Sequence, residues 1–228
     1  MKIIAVLTIG LLAAIMFSGK KHRSSANTEL KNIKLPSPVY GGETSIEEAL
    51  KRRRSVREYS DEPLTLTQVS QILWAAQGIT DSRNFRTAPS AGALYPLEVY
   101  LVVGNVQDLP EGVYRYQPNH HELSLELEGD KRKAVAQAAL LQNWMTKAPV
   151  ILVIAAVYGR TTIKYGARGK RYVHMEAGHT AQNVYLQAMS LNLGTVIVGA
   201  FVDQAVKNVL TMKKQEQPLA IMPIGSAQ

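Results

Sequence analysis

Arg53, Arg54, Ser55 and Arg57 fall within five residues of one another, in the run Arg-Arg-Ser-Val-Arg. Guanidinium groups are planar, permanently charged and matched to paired phosphate oxygens, and a serine adds a compact hydroxyl donor. The chemistry open to such a cluster is the binding of an anion. Basic residues at a helix end also complement the helix dipole with no ligand at all, so the cluster alone leaves both readings open. Nucleic acid is disfavoured, because no aromatic–basic interleaving or helix-turn-helix pattern accompanies the charges. A second stretch, Pro89-Ser90-Ala91-Gly92-Ala93-Leu94-Tyr95-Pro96, joins small residues that let a backbone approach a flat ligand to a hydroxyl donor. In a third, Val196-Ile197-Val198-Gly199-Ala200-Phe201, a glycine breaks an apolar run. That is the pattern of a bulged strand or of a backbone N–H left open to a ligand. An ordinary loop and a packing glycine are the plain alternatives for these two.

Other chemistries are excluded. Without cysteine there is no disulfide, thiolate nucleophile or Cys-ligated metal. His174 and His179 lie five residues apart on one helix, about 140° around its axis, and cannot share a metal with Glu176. Neither Ser55 nor Ser90 has the Gly-x-Ser-x-Gly setting of a hydrolase nucleophile.

The elements that must position these residues follow from periodicity. Ser45 reads as an N-cap with Glu48 three residues on, opening a helix to about Arg53. A second helix spans Thr67 to Gln77, with Gly78 as its stop. Asp81 to Ala93 is a polar loop. Leu97 to Gly104 and Val150 to Val157 are near-continuous apolar strands buried on both faces. Gly112–Tyr116 and Glu122–Glu126 alternate and read as a hairpin, and Lys131 to Gln142 as a short helix. The longest helix is expected from about Tyr172 to Asn192, with Gly194 as its C′ residue. A strand at Thr195–Ala200, a helix at Gln204–Leu210 and a strand at Leu219–Ile224 complete an α+β domain.

The chain has 228 residues, 46% hydrophobic and 19% charged, enough for one sizeable core. Its net charge is +8; Lys2, Lys20, Lys21 and Arg23 fall in an acid-free first 26 residues, leaving +4 for the rest. Ile3 to Phe17 is almost wholly apolar, short for a membrane span, and is followed by Ser24-Ser25-Ala26. Residues 1–26 are therefore expected to be a signal peptide or membrane anchor. Attachment would run through residues 3–17, and the body would be exported (periplasmic or extracytoplasmic) or anchored rather than cytoplasmic. Positive charge directly after the apolar run favours the anchor. Residues 27–44 read as an extended arm, and 45–228 as the functional domain.

The order of the three motifs, together with Glu176-Ala177-Gly178-His179-Thr180-Ala181-Gln182-Asn183, resembles the FMN-dependent nitroreductase family. The Gly-Ala-Leu-Tyr-Pro form of the second motif is most similar to the SagB/ThcOx-type branch, dehydrogenases acting on azoline peptides. The resemblance runs from about Ser45 to Gly225. It implies a nitroreductase-like fold, with a mixed central sheet flanked by helices and a long dimer-forming helix, and FMN held between the subunits of a homodimer. Arg53 and Ser55 would hold the phosphate, with Arg54 a further cofactor-binding residue and Arg57 near the ribityl chain and pyrimidine edge. Pro89, Ser90, Ala91 and Gly92 would lie against the ring, and Val198 and Gly199 would face flavin N5. Lys164 and Tyr165 match a Lys-Tyr pair that removes a proton while hydride leaves for the flavin; a surface dipeptide is the plain alternative. The implied activity is hydride transfer between flavin and a small-molecule or peptide substrate, either azoline oxidation or nitro- or quinone-type reduction, with NAD(P)H a possible donor. No metal and no nucleic acid enter. Many relatives carry a basic residue after the last strand; this sequence shows Ile224-Gly225-Ser226-Ala227-Gln228 there, which moves the expected phosphate contacts onto the arginines and opens the alternative of a non-catalytic flavin binder.

Overall fold

In Val150–Ala156 every residue is apolar and every residue is buried. Successive strand side chains point to opposite faces, so such a run needs cover on both. Leu152 and Ile154 face one core, Ile151 and Val153 the other. This strand lies inside a three-layer α+β structure, described over residues 32–228 by a computed structural model. The expected signal peptide or anchor lies outside the described residues. Among the described residues, no helix is long and apolar enough to cross a membrane.

In chain order the elements are β1 (Asn32–Lys34), α1 (Ile46–Arg52), α2 (Leu66–Gln77), β2 (Leu97–Val103), β3 (Gly112–Gln117), β4 (Glu122–Glu128) and α3 (Arg132–Ala138). There follow β5 (Val150–Ala156), α4 (Tyr158–Tyr165), α5 (Gly169–Ser190), β6 (Leu193–Thr195), α6 (Asp203–Val209) and β7 (Gln217–Ser226). The sheet order is β1-β4-β3-β2-β5-β7-β6. Strands pair antiparallel; a parallel component enters through single bridges such as Ser55 with Thr195. Helices α2 and α5 cover one face through Ile72, Leu73, Val173 and Val184. Helices α3 and α6 cover the other through Val135 and Val206.

Local chemistry sets the ends of the helices. The Ser45 side chain accepts from Glu48 N at 3.1 Å and caps α1. Thr65 and Gln68 form a reciprocal capping box on α2.

Several expected boundaries move. Helix α3 ends at Ala138, not Gln142, because Leu140 and Leu141 take left-handed φ of 57° and 61°. Helix α5 begins at Gly169 and stops at Ser190; Asn192, with φ 57°, takes the left-handed position expected of Gly194. Gly194 instead sits in β6, where a Cβ would come 2.7 Å from the Val56 side chain. The strand expected at Thr195–Ala200 reduces to Leu193–Thr195 plus a single bridge from Val198 to Ile221. Helix α4 was not anticipated, nor was the pairing of the arm's Asn32–Lys34 with β4.

Candidate functional site

Helix α1 delivers the basic cluster, and its four polar groups part company there. The Arg54 guanidinium turns back onto the carbonyls of Lys51 and Arg53, at 3.0 and 2.8 Å, and so satisfies its own helix end. Arg53 instead lies over the ring of Tyr185, 5.2 Å from its centroid. Ser55 Oγ is 3.2 Å from the Tyr185 hydroxyl, which also accepts from the backbone N–H of Ile197 at 2.8 Å. Tyr185, on α5, thus joins the Arg-Arg-Ser-Val-Arg loop to the segment leading to Val198 and Gly199. A cavity of about 320 Å³ opens here, lined by Arg53, Tyr185, Gly194 and Thr195 among others. Val56 N donates to Thr195 O at 3.0 Å, and the Tyr59 hydroxyl reaches Val56 O and Pro223 O at 2.7 and 3.2 Å. Burial drives the Tyr59 pKa up, which keeps that hydroxyl a donor. Arg57 is exposed beside this anchor. Val198 is buried and bridged to Ile221, whereas Gly199 is exposed and a Cβ there would meet nothing.

The second motif forms a different cluster. Ser90 Oγ accepts from Tyr95 N at 2.9 Å and closes a tight turn. Within it Gly92, Ala93 and Tyr95 all have left-handed φ, of 64°, 53° and 44°. Two of the three are not glycine, a concentration of strain that marks functional loops. Helix α4 brings Lys164 and Tyr165 onto this turn. A Cβ at Gly92 would lie 2.8 Å from the Tyr165 hydroxyl and 3.1 Å from Lys164 Nζ. Gly92 is therefore required both by its backbone angle and by the side chains crowding it. Tyr165 packs edge-on against Tyr172, 5.2 Å between centroids, which fixes its ring. Pro89 and Ala91 stand on either side of Ser90 in the chain.

Beneath the turn is a polar layer that residue types alone did not reveal. Glu176 is 2% exposed, and its Oε1 has no partner among the described residues. Burial raises its pKa to about 7, while the Ser90 hydroxyl and the Arg86 charge hold it back from rising further. Arg86 donates to Gln77 Oε1 at 2.8 Å, and Gln77 donates to Thr180 at 2.8 Å. Glu176 and Thr180 of the Glu176–Asn183 motif therefore belong to the polar layer under the loop. His174 bonds to Tyr158, and His179 is exposed on another side of α5.

The expected residues thus form two groups. Arg53, Ser55, Val198 and Gly199 gather near Tyr185, while Ser90 and Gly92 meet Lys164 and Tyr165 near Glu176. Glu176 and Tyr185 are separated by nine residues of α5, about 13 Å along the axis and about 180° around it. The two groups flank the helix instead of closing on each other. Between the flanks runs a stripe of Met175, Gly178, Gln182, Leu186 and Met189, exposed or half-buried.

Comparison with known proteins places this architecture. The family model "Nitroreductase family" matches residues 50–226. The chain is 54% identical over 183 residues to MJ1384 of Methanocaldococcus jannaschii, a protein named as a nitroreductase, covering 80% of this chain and 91% of that one. It superposes on a crystal structure from Ralstonia eutropha, described as a nitroreductase, with TM-score 0.74 and 32% identity, over 86% of this chain and 90% of that one. It is 26% identical to the microcin B17-processing protein McbC of Escherichia coli, over 71% of this chain, and 26% identical to the FMN reductase [NAD(P)H] of Bacillus subtilis, over 78%. It spans 62% and 64% of those two longer proteins. With its fold, its ordered motifs and its family match in agreement, the chain belongs to the nitroreductase family, and its relatives include an FMN reductase.

Proposed function

We propose that the protein is an FMN-dependent dehydrogenase that works as a homodimer and oxidises an azoline-type ring in a small or peptide substrate. The residues fit the cofactor. Arg53, over the Tyr185 ring, lines the cavity, the Ser55 hydroxyl meets the Tyr185 hydroxyl beside it, and Gly199 leaves backbone open nearby. Arg53 and Ser55 would hold the phosphate; Ser90, Ala91 and Gly92 would lie against the ring. Arg57 supplies an exposed cation for the ribityl and pyrimidine side. Arg54 serves the helix end and contributes its charge alone. FMN, when bound, supplies a two-electron hydride acceptor.

The observation that carries the reading is the convergence of Lys164 Nζ and the Tyr165 hydroxyl on Gly92. Oxidising an azoline removes a hydride and a proton. Lys164 is the group placed to take that proton, with its Nζ 5.5 Å from the centroid of the Tyr165 ring that Tyr172 orients. Similarity to McbC, a peptide-processing protein, supports this choice over plain nitro or quinone reduction. Similarity to the Bacillus enzyme supports FMN and suggests NAD(P)H as an alternative electron source. The homodimer is inferred from the two groups flanking α5: a second copy seated on the stripe around Gly178 would bring its own ring loop to the Arg53 cavity.

The first test is the absorbance of the purified protein titrated with FMN. Bound-flavin bands are expected, and a protein that stays colourless ends the proposal. The second compares Lys164→Ala with wild type on a thiazoline and on a quinone. Loss of thiazoline dehydrogenation with quinone reduction retained supports the assignment; equal loss, or none, removes it.

A further inference from the structure

A cleft of about 490 Å³ lies on the far side of the ring loop, lined by Gln77, Arg86, Tyr95, Glu98, Tyr116 and Arg160 among others. We propose that it is a subsite for a monovalent carboxylate, with Arg86 as the group that binds it.

Arg86 is half-buried yet makes no ion pair with a carboxylate among the described residues. Its guanidinium stacks on the Tyr95 ring, 4.5 Å from the centroid, and its backbone N–H donates to the Tyr95 hydroxyl at 3.2 Å. One nitrogen is taken by Gln77, a neutral partner. The plane of the fork is therefore fixed, and no carboxylate bonds to it directly. Burial lowers its pKa, and the charges of Glu176 and Glu98 offset part of this without pairing with the fork. The one carboxylate lining the cleft, Glu98, is already committed to Arg115 at 3.5 Å and to Arg160. A desolvated guanidinium without a counter-ion is costly, and an incoming carboxylate that bonds to its fork relieves that cost. The negative charge of Glu98 on the same wall weighs against a dianion such as phosphate.

The cleft shares its wall with the chemistry. Leu94 and Tyr95 stand two and three residues after Gly92, and Arg160 stands one helical turn before Lys164 on α4, donating to Tyr95 O at 3.1 Å. That the ligand is a substrate rests on the function proposed above; that the cleft binds a carboxylate does not.

The test titrates benzoate into the purified protein by calorimetry, with benzamide as the neutral control. Benzoate is expected to bind at least about tenfold more tightly, a difference of about 1.4 kcal/mol. Arg86→Gln should abolish the preference. Gln77→Glu should abolish it too, by placing a counter-ion where a neutral amide now stands, and this second variant covers the case in which Arg86→Gln fails to fold. Equal binding of the two probes, or an undiminished preference in a folded variant, overturns the proposal. In flavin-loaded protein, 4-nitrobenzoate should show a lower KM than 4-nitrobenzamide, and Arg86→Gln should raise only the former. Reduction of neither acceptor would count against that use of the flavin and leave the calorimetric result to decide the cleft.

Discussion

Tyr185 shows why a site is hard to read one residue at a time. Its hydroxyl meets Ser55 Oγ and the Ile197 N–H, and its ring lies under Arg53. Nothing near position 185 in the sequence announces this, because the partner serine is 130 residues away. Arg53 and Ser55 were legible because charge and hydroxyl sit side by side in one short run. Arg54 looked equivalent to Arg53, and only the path of its side chain separates them. Tyr185→Phe should weaken FMN binding and lower stability by about 1–3 kcal/mol, since the Ile197 N–H loses its acceptor in a part-buried setting; flavin titration and urea melts measure both. Glu176 gives a pH prediction with a definite sign. Its folded pKa, about 7, lies above the ordinary glutamate value of 4.5, so the folded state binds the extra proton between these limits. Its contribution is present below pH 4.5 and is lost as pH rises toward 7. The stability of Glu176→Gln relative to wild type should therefore climb across that window and level off above it. A difference that is flat from pH 4 to 8 would show that Glu176 does not titrate there.

At the scale of elements, helices with an apolar stripe and strands with unbroken apolar runs were readable, as was the Ser45 cap. Helix α4 was not. Tyr-Gly-Arg-Thr-Thr-Ile-Lys-Tyr is mostly polar, and its one aliphatic residue, Ile163, ends up exposed; its helix is held by packing on α5. The misassigned Gly194 has an element-level meaning. Strand β6 passes so close to Val56 that a methyl group at 194 would enter the valine side chain. Gly194→Ala should shift the Arg-Arg-Ser-Val-Arg loop off its bridge to Thr195, at a cost of about 1–3 kcal/mol. The expected outcome is weaker FMN binding with α5 and the ring loop intact. Titration with FMN, alongside far-ultraviolet circular dichroism, checks it.

For the whole molecule, the three-layer α+β plan was legible because both faces of β5 demand cover. The division of the site was not, since motif order says nothing about which side of α5 each motif reaches. If two copies complete the site, a charge in the stripe should separate them. Gly178→Arg puts a guanidinium where nothing now lies within 4 Å. It should leave the monomer folded, shift it to lower mass in sedimentation, and reduce FMN binding in parallel. A monomeric variant with wild-type flavin affinity would refute the shared site.

The anchoring of the Arg-Arg-Ser-Val-Arg loop to β7 also governs when that loop can be completed. The Tyr59 hydroxyl bonds to Pro223 O, Ser60 N donates to Ser226 O, and Gln228 N donates to Glu58 O. A segment made early is thus held by a strand made about 160 residues later. On the ribosome, residues 53–60 can meet α5 and β6 first, but lack the anchors at Tyr59, Ser60 and Glu58 until β7 has emerged and slid between β5 and β6. For the FMN binding proposed above, capture is then expected late in biosynthesis, and a nascent chain stalled before Gln217 should gain no flavin however much FMN surrounds it.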